Sequence, residues 1–411
     1  MSTETGPGAA PVGAAARPSA AVATPRVGEG GPGVSLDQVA VAAAGRGIRR
    51  VAAVAWRDLD HDDAGGSEVH LDAVLAAWAE AGLDVSLHVA GVPGRPGHVI
   101  RHGYRVDRRG GGVTGLLRSP WSARRARPDA VVEAWHGINF CGPVWIRGPR
   151  LGIVHHVHAP EFHHVMSRPA AWVARRHEGT VSPRLYRGTP LVALSPSVRD
   201  DLVALGYQPD RVTVVTPGVA TAYRPGGAMS PTPRIVTVGR LWPIKRIDVV
   251  VRAAAMVAPR VPGLELVVVG EGPRRAELEA TARELGAPVR FAGRLARAEL
   301  IDLYRSAWVL ATASEGEGWG MTITEAAGCA TPAVVSDNAG HRHAVVDGVT
   351  GIVVHGVDGM AAGLARLLGD RALLDRMRVD ARARAERLTW ASTAASMLQV
   401  LVDDADRRGP G

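Results

Sequence analysis

The chain has 411 residues, of which 46% are hydrophobic and 21% are charged, a composition typical of a protein that folds around an apolar core. Because domains usually contain roughly 100–200 residues, this length predicts two domains. Cys141 and Cys329 are the only cysteines, which excludes a disulfide scaffold and a cysteine-based zinc module. No apolar run reaches the roughly 18 residues of a membrane-spanning helix, and residues 1–33 lack the features of a secretory signal. We therefore expect a cytoplasmic protein.

The basic residues are unevenly distributed along the chain. Lysine and arginine together number 48 against 40 acidic residues, which gives a formal net charge of +8. Between Arg95 and Arg127, nine arginines accompany one acid, Asp107. Such a segment attracts an anionic lipid surface or a phosphorylated acceptor, or it is a solvated arginine-rich surface. Nucleic acid is not expected as a partner because no known binding motif accompanies the arginines. If the protein contacts the inner face of a membrane, we expect this segment to make the contact.

In chain order, residues 1–47 come first; they are rich in alanine, glycine and proline and predict a disordered tail. Residues 49–56 form a continuous apolar run of the buried-strand type, and residues 67–82 have the apolar spacing of a helix. Further strand-like runs lie at residues 85–89, 130–135, 151–158, 190–194 and 212–215. Strands that alternate with helices indicate a parallel α/β domain.

Residues 222–233 are rich in proline and glycine and predict a linker, after which the alternation of strands and helices restarts. Strand-like runs then lie at residues 234–238, 264–269, 289–291, 308–311 and 333–336, and helical spacing at residues 247–258, 274–285, 299–306 and 321–328. Residues 359–388 and 390–404 predict closing helices. The predicted units are a first domain over residues 48–221, a second domain over 234–388, and a C-terminal helix and tail over 389–411. We expect two Rossmann-like domains that face each other across a cleft.

Three strands of the second domain are followed by loops that contain glycine. Gly239 and Gly270 follow the first two strands, and residues 315–320 (EGEGWG) follow a later one. Ligands of open parallel sheets bind at the carboxyl ends of strands, where glycine lets backbone amides approach an anion. The helix predicted to begin at Met321 adds the positive end of its dipole, which favours phosphate. Each loop alone is more typical of a structural turn than of a binding site, but together they predict an anion site.

Two cations follow the first of these loops. Arg240 ends a strand, and Lys245 follows a short turn that contains Pro243. Both can neutralise a diphosphate, arginine as a planar fork and lysine as a point charge. Lys245 is the only lysine of the chain. Since every other cationic side chain outside the histidines is arginine, a lysine here favours a specific role for a compact ammonium over a solvated surface charge.

Glu317 and Glu325 form a carboxylate pair, with Glu317 in the glycine-rich loop and Glu325 on the following helix, where it is alternatively a helix-surface acid. Their Glu-x7-Glu spacing lies within SEGEGWGMTITEAAGCATPAVVSD, which is accompanied by VGRLWPIKRIDVVVRAA, VVVGEGPRRAELE and, after Gly340, VVDGVTGIVV. Together these segments resemble the retaining, nucleotide-sugar-dependent glycosyltransferases of family 4, which have the GT-B fold. The resemblance extends over residues 51–397.

The resemblance implies a role for each matching residue. Arg240 and Lys245 would bind the donor diphosphate, Glu317 the donor sugar and Glu325 the ribose. It also implies a catalytic histidine at the end of a first-domain strand, for which His158 fits best and His156 second. The remaining implied donor contacts are Gly65, Gly66, Gly239, Gly270, Arg294 (near the base), Gly320, Met321 and Thr322.

Three features of the first domain also have interpretations that do not depend on the resemblance. Ser67, after the two glycines, is a candidate helix N-cap. Asp58 and Asp60 form an Asp-x-Asp that would suit a divalent metal, although an acidic loop is the default interpretation. The histidines of residues 155–164 are an alternative zinc site, but no cysteine ligand or matching motif supports it. We expect no metal site.

The predicted function is that of a retaining glycosyltransferase. It would move a sugar from a UDP- or GDP-type donor to an unidentified acceptor hydroxyl by front-face attack, without a metal or other cofactor. One alternative is a non-catalytic protein that binds nucleotide-sugar, and another is a GT-B nucleotide-sugar epimerase, which would need no acceptor.

Overall fold

The structure is a computed structural model that describes residues 35–111, 113–135, 137–157 and 167–409. Most of the predicted disordered tail, residues 1–34, therefore lies outside the described residues. Within them, the chain forms two α/β domains with parallel sheets, which confirms the predicted fold class. No helix in the described ranges is long and apolar enough to cross a membrane.

The first domain is built on an eight-stranded sheet. Its strands are β1 (Arg50–Val54), β2 (Asp84–Val89), β3 (His98–Arg101), β4 (Tyr104–Arg108), β5 (Ala130–Trp135), β6 (Arg150–Val154), β7 (Leu191–Ala193) and β8 (Val212–Val214). They lie in the order β3-β4-β2-β1-β5-β6-β7-β8, and every neighbouring pair is parallel except β3 with β4. All six residues of β5 are buried, as expected for a central strand with helices on both faces.

The helices of the first domain cover both faces of this sheet. They are α1 (Leu36–Gly45), α2 (Gly66–Glu80), α3 (Val113–Arg125), α4 (Gly142–Trp145), α5 (Arg168–Arg176), α6 (Ser182–Leu185) and α7 (Pro196–Ala204), with a π-helix at His177–Val181 between α5 and α6. The crossover through α2 leads from β1 to β2, in one direction across the sheet. The crossovers through α3 (β4 to β5), α4 (β5 to β6) and α5 (β6 to β7) lead in the other direction. Because such crossovers are right-handed, α3, α4 and α5 lie on the face opposite to α2.

The second domain has six parallel strands. These are β9 (Arg234–Val238), β10 (Glu265–Val269), β11 (Val289–Gly293), β12 (Val309–Thr312), β13 (Ala333–Ser336) and β14 (Gly351–Val354), in the order β11-β10-β9-β12-β13-β14. Its helices are α8 (Ile247–Val257), α9 (Arg275–Glu284), α10 (Arg297–Ser306), α11 (Met321–Gly328), α12 (Ala339–Ala344), α13 (Gly356–Gly369) and α14 (Arg371–Glu386). The chain moves from β9 to β10 on one side and returns to β12 on the other, so the direction of winding reverses between β9 and β12.

The last helix, α15 (Trp390–Arg408), returns to the first domain. The indole Nε1 of Trp78 donates to the carbonyl of Ala394 at 2.9 Å, and the backbone amide of Arg150 donates to Asp404 Oδ2 at 3.1 Å. The chain therefore crosses between the domains twice, once through residues 215–233 and once before Trp390.

Two boundaries predicted from the sequence are wrong. Residues 36–45 of the predicted tail form α1, which packs against α15 and is tied to it by the ion pair of Arg46 with Asp406 at 2.6 Å. The single closing helix predicted over residues 359–388 is two helices, α13 and α14, because Asp370 ends the first and caps the second through its Oδ1.

Candidate active site

The candidate site lies at the carboxyl end of the second sheet, where the winding reverses between β9 and β12. Open α/β sheets bind ligands at such a point because the loops from the two strands diverge and leave a crevice. The loop that begins at Gly239 leaves β9, and the loop of residues 313–320 leaves β12. Both loops carry residues that the sequence predicts to bind the donor.

Gly270 has a structural reason to be glycine. Its φ is +133°, and a Cβ there would lie 2.0 Å from the carbonyl oxygen of Gly239. The loops after β9 and β10 thus pack backbone against backbone. Beside them, a Cβ at Gly239 would make only ordinary contact with Lys245, 3.8 Å from its Cδ. At Gly270, the absence of a side chain therefore lets two loops of the protein pack together. Gly239 instead lies beside the side chain of Lys245.

Lys245 and Glu317 are paired. A single 3₁₀ turn, Pro243–Lys245, carries the lysine, whose Nζ donates a hydrogen bond to Glu317 Oε1. The same carboxylate oxygen accepts a hydrogen bond from Ser314 Oγ at 2.9 Å. Burial alone raises the pKa of Glu317, but the charge of Lys245, the nearby His341 and these two hydrogen bonds outweigh it and lower the pKa to about 2. Glu317 is therefore ionised at neutral pH.

The helix α11 begins directly beside this pair. Its N-cap is Gly320 at φ +98°, and no side chain caps the helix, so Met321 and Thr322 lie in a first turn whose amides are available to an anion. A Cβ at Gly320 would lie 3.4 Å from Cδ2 of His341, which places that imidazole at the same helix end.

His341 contributes to the site, although the sequence analysis gives it no role. The residue is 1% exposed. Its Nδ1 lies 2.8 Å from Asn338 Nδ2 and 2.9 Å from the carbonyl of Ser336, whereas its Nε2 is buried and has no hydrogen-bond partner among the described residues. Burial lowers the pKa of His341, although the nearby carboxylate of Glu317 opposes the decrease.

Arg240 is exposed and is not part of the Lys245–Glu317 ion pair. Its guanidinium carbon is 5.9 Å from the ring centroid of Trp242, and within the described ranges it forms no ion pair. Arg240 therefore shares the loop after β9 with Lys245 but does not contact Glu317.

Glu325 lies beyond the first turn of α11, beside two tyrosines. Tyr304 donates its hydroxyl hydrogen to Glu325 Oε2 at 3.4 Å. Burial raises the pKa of Glu325 to about 7, although hydrogen bonds from Tyr223 and Tyr304 and the charge of Arg297 oppose the increase. The two glutamates of the Glu-x7-Glu spacing thus occupy different environments. Glu317 is ionised at neutral pH, whereas the pKa of Glu325 is itself close to neutral pH.

The first domain meets this helix end through its own glycine loop. A Cβ at Gly66 would lie 3.3 Å from Met321 Sδ. The N-cap of α2 is Gly65, not the predicted Ser67, and the amide of Gly65 donates to Glu68 Oε2 at 2.7 Å. The cleft is therefore lined on one side by Gly65 and Gly66 and on the other by the start of α11.

Two further contacts cross the cleft. A Cβ at Gly318 would lie 1.8 Å from the carbonyl oxygen of His155, at the end of β6. Arg294, which the family resemblance assigns to the base, donates through Nη2 to the carbonyl oxygen of Asp62 in the first domain. The loop that carries Glu317 is thus seated directly against the first domain.

The histidine cluster is only partly described. His158, predicted to be catalytic, lies outside the described residues together with His163 and His164. His155 is buried, and its ring meets that of His70 edge to face at 5.2 Å. His70 is also fully buried, which lowers its pKa to about 4. The sequence analysis missed His70, since only its place one turn after Gly66 connects it with the cleft.

The acidic loop is neutralised by arginine. Asp58 Oδ2 lies 2.6 Å from Arg108 Nη2 and 3.1 Å from Arg101 Nη1, and Asp60 Oδ2 lies 2.8 Å from Arg101 Nη2. In the part of the chain that the structure describes, no group of three or more histidine, cysteine, aspartate or glutamate residues is placed to hold a metal ion. The Asp-x-Asp is therefore part of an ion-pair network.

Two family models match the chain. The model described as Glycosyltransferase Family 4 matches residues 64–223, and the model described as Glycosyl transferases group 1 matches residues 224–384. The two matched segments adjoin and together span both domains.

Curated relatives carry the name D-inositol 3-phosphate glycosyltransferase. The protein from Nocardia farcinica is 37% identical over 232 residues, which are 51% of this chain and 51% of that protein. The match thus spans about half the length of this relative. The protein from Thermobispora bispora is 29% identical over 425 residues, covering 89% of this chain and 97% of the relative.

Solved structures share the fold. Sucrose-phosphate synthase from Thermosynechococcus elongatus superposes with a TM-score of 0.74 at 21% identity, covering 85% of this chain and 98% of that one. Anabaena HepE, solved in complex with UDP and glucose, superposes with a TM-score of 0.69 at 16% identity, covering 86% of this chain and 100% of that one. At this level of identity the likeness concerns the fold alone.

Proposed function

Since the chain belongs to the family 4 glycosyltransferases, we propose that it transfers a sugar from a nucleoside-diphosphate sugar to an acceptor hydroxyl with retention of configuration. The observation that carries this proposal is the Lys245–Glu317 pair at the uncapped start of α11, with Gly66 facing it across the cleft. It provides a cation, helix-end amides and an ionised carboxylate within one crevice, which suits a diphosphate joined to a polyhydroxylated sugar.

The diphosphate is assigned to Lys245, Arg240 and the first amides of α11. The Nζ of Lys245 has further hydrogens beyond the one given to Glu317, and the exposed Arg240 can turn from Trp242 toward an anion. These donors would stabilise the negative charge that develops on the departing diphosphate, an effect that can contribute several kcal/mol. Because cations of the chain meet this charge, the proposed reaction needs no metal ion.

The sugar and the nucleoside are assigned to the two glutamates. Ionised Glu317 accepts hydrogen bonds and is therefore suited to sugar hydroxyls, while Glu325, further along α11, is assigned to the ribose. Arg294 is assigned to the side of the cleft where the base would lie, since it already joins the two domains there.

Front-face attack is part of this proposal, and the engagement of two first-domain carboxylates near the cleft supports it. A double displacement needs a free carboxylate as nucleophile. Asp58 is held by Arg101 and Arg108, and Glu68 accepts from the amide of Gly65. In the proposed reaction a diphosphate oxygen takes the proton of the acceptor hydroxyl, and His158 is assigned to the donor sugar beside the reacting centre.

A binding and turnover experiment tests the proposal. Thermal unfolding is measured with UDP, GDP and their sugars, and the preferred donor is then incubated with acceptors, beginning with D-inositol 3-phosphate, the acceptor in the names of the relatives. We expect one nucleoside diphosphate to raise the Tm, and a glycosylated product to form with the anomeric configuration of the donor. Donor binding without any transfer indicates the binding-protein alternative, and isomerisation of the donor without acceptor indicates an epimerase. An inverted product contradicts retention.

A further inference from the structure

The arginines of the first domain fall into two groups that the sequence does not separate. Arg101 and Arg108 pair with Asp58, and Arg105 Nη2 lies 2.9 Å from Asp84 Oδ1. This part of the basic segment predicted to meet a membrane is therefore already neutralised by the protein itself. The arginines of this segment that form no ion pair among the described residues are Arg95, Arg109, Arg118, Arg124, Arg125 and Arg127, and three of these unpaired charges lie on α3.

Two helices on one face of the first sheet carry that charge together with exposed tryptophan. On α3, Trp121 is 50% exposed, and on α5, Trp172 is 68% exposed. Each tryptophan has exposed arginines within about one helical turn on either side, so each helix has a mixed aromatic and cationic outer face. These arginines are Arg118, Arg124 and Arg125 on α3, and Arg168, Arg175 and Arg176 on α5. Across the described ranges, none of the six forms an ion pair.

The two helices belong to one surface. Both lie on the face opposite to α2, and the short helix α4 lies between them in the sheet order. Ala123 of α3 packs in one apolar cluster with Phe140 and Ile146 on either side of α4, and the amide of Gly142 donates to Tyr186 Oη, just after α6, at 2.9 Å. We call α3, α4 and α5, with the π-helix after α5, the basic face.

The basic face also exposes aliphatic side chains. Leu117 is 80% exposed and Val144 is 74% exposed, and Val173 and Val181 are exposed as well. Within residues 113–127, 142–148 and 167–187 the sequence contains a single acid, Glu178, and its side chain is buried. A surface that joins large exposed apolar groups to uncompensated positive charge is a place of interaction, not ordinary solvated surface.

We infer that the basic face docks the first domain on an anionic lipid surface. Tryptophan is the residue that prefers the level of the lipid headgroups, and arginines beside it reach the headgroup phosphates while leucine and valine enter the acyl boundary. The stacking of the Arg125 guanidinium 3.6 Å above the Trp121 ring already brings the two kinds of group together. Nucleic acid would engage the arginines but leave Leu117 and Val144 without a contact.

The docking would leave the reaction cleft accessible. The cleft opens at the carboxyl edges of the sheets, where Gly66 meets Met321, whereas the basic face covers one flank of the first sheet. The enzyme would therefore lie on the membrane while the donor enters from water. Failure of lipid docking would leave the proposed transfer reaction untouched, since none of these residues is assigned to the donor.

Vesicle sedimentation tests the inference. The full chain is mixed with vesicles of phosphatidylcholine alone or of phosphatidylcholine with phosphatidylglycerol, at low salt. We expect sedimentation with the phosphatidylglycerol vesicles only. The triple variant Arg118→Glu, Arg124→Glu and Arg125→Glu should lower the partition coefficient by at least about 100-fold, since each arginine near an anionic surface contributes roughly a fivefold factor and reversal adds repulsion.

Two controls separate docking from general charge and from other partners. The variant Arg252→Glu, Arg260→Glu and Arg376→Glu changes the net charge equally at exposed positions of the second domain and should retain most of the binding. Trp172→Ala should weaken binding at low and at high salt, because its contribution is apolar. No sedimentation with anionic vesicles, equal losses in the two triple variants, or no effect of Trp172→Ala would each overturn the inference. So would tight binding of an RNA oligonucleotide that displaces the vesicles. The Tm of every variant and its response to nucleoside diphosphate should match the wild type.

Discussion

The side-chain ammonium of Lys245 is hydrogen-bonded to the carboxylate of Glu317, which joins the loop after β9 to the loop after β12 across the point where the sheet reverses its winding. The two residues are 72 positions apart in the chain. In this arrangement the cation keeps the acid ionised, and the acid holds the cation at the start of α11. Removing either one changes the charge of the whole crevice.

Lys245→Ala should abolish most of the activity while leaving the fold intact. The variant loses the cation assigned to the departing diphosphate, and removing one such donor typically lowers kcat by about 10²–10³. The pair is partly exposed, so we expect the free energy of unfolding near neutral pH to change by only about 1 kcal/mol. Steady-state kinetics and urea unfolding measure the two quantities.

Lys245→Arg is the matched variant. It keeps the charge but replaces a point donor by a planar fork, so it should be impaired less than the alanine variant. If Lys245→Ala retains wild-type kcat with the preferred donor, the assignment of this crevice to the diphosphate is wrong.

Gly318→Ala should disturb the contact between the domains. The added Cβ would lie 1.8 Å from the carbonyl oxygen of His155, so one of the two loops must move. Because Gly318 is adjacent to Glu317, a shift of that loop displaces the carboxylate, and displacements near 1 Å can cost about 10²-fold in rate. Gly188→Ala, at a glycine with open space around it, is the control and should have wild-type kcat. Equal activity of the two variants would show that the seating of this loop on His155 is not required.

The sequence predicted the alternation of elements and the loops of the site well, because both are local in the chain. A strand followed by glycine and then by helical spacing predicts its own position, and Lys245, Glu317 and the start of α11 lie where the loops after β9 and β12 meet. The N-cap signal of α1 also lies within a few residues of the helix, but the sequence analysis did not identify it. Ser35 and Gln38 form a capping box, in which the amide of Gln38 donates to Ser35 Oγ at 3.3 Å, and this signal was hidden by the alanine-rich composition around it.

Relationships between distant residues could not be predicted from one sequence. Asp58, in the loop after β1, pairs with Arg108 on β4, 50 positions further along the chain. From the sequence alone, the negative charge of the acidic loop and the positive charge of the basic segment therefore each seemed to lack a partner. The same limit applies to His341, whose chain neighbours do not indicate that its ring reaches the N-terminus of α11. Its position depends on α12 packing beside the Glu317 loop, since a Cβ at Gly340 would lie 2.2 Å from the Glu317 carbonyl oxygen.

The stability of the protein should fall in acid partly because of Glu317. Its folded pKa of about 2 is below the ordinary value of 4.5, so its contribution is present above pH 4.5 and is lost as the pH falls toward 2. Unscreened, a shift of this size would correspond to on the order of 3 kcal/mol, but solvent screening of the partly exposed pair brings the contribution closer to the ~1 kcal/mol expected for Lys245→Ala. Urea unfolding of Glu317→Gln between pH 5 and 2.5 should therefore show a shallower loss of stability than the wild type. Parallel profiles would contradict the ion pair with Lys245.

The buried carboxyl of Glu133 should make the protein less stable as the pH rises through neutrality, the opposite of the pH dependence that Glu317 causes in acid. Its carboxyl is buried in β5, where burial raises the pKa to about 7 although it accepts hydrogen bonds from Tyr186 Oη at 2.6 Å and from the amide of Phe140 at 3.1 Å. The folded protein therefore binds a proton that the unfolded chain releases, and this contribution, present below pH 4.5, is lost as the pH rises through 7.

Glu133→Gln should accordingly reduce the loss of stability between pH 5 and pH 8 by on the order of 2–3 kcal/mol. Glu325→Gln, which removes a second acid whose pKa is raised to about 7, should have a similar effect, and the double variant should have the flattest profile. Urea unfolding at a series of pH values measures the slopes. An unchanged slope in Glu133→Gln would mean that the buried carboxyl is already ionised throughout this pH range.

His341 should bind the donor through its Nε2. This atom is buried, has no partner among the described residues, and belongs to a ring that touches the start of α11, whereas Nδ1 is held by Asn338 and Ser336. An unpaired buried nitrogen costs about 1–3 kcal/mol, which a hydrogen bond to the donor would offset. His341→Asn preserves a polar atom near the Nδ1 position and removes Nε2, while His341→Gln preserves a polar atom near Nε2. We expect donor affinity, measured by calorimetry, to fall about tenfold in the asparagine variant and clearly less in the glutamine variant. If the order is reversed, the bonds of Nδ1 to Asn338 and Ser336 are what matters, and His341 positions the loop instead of binding the donor.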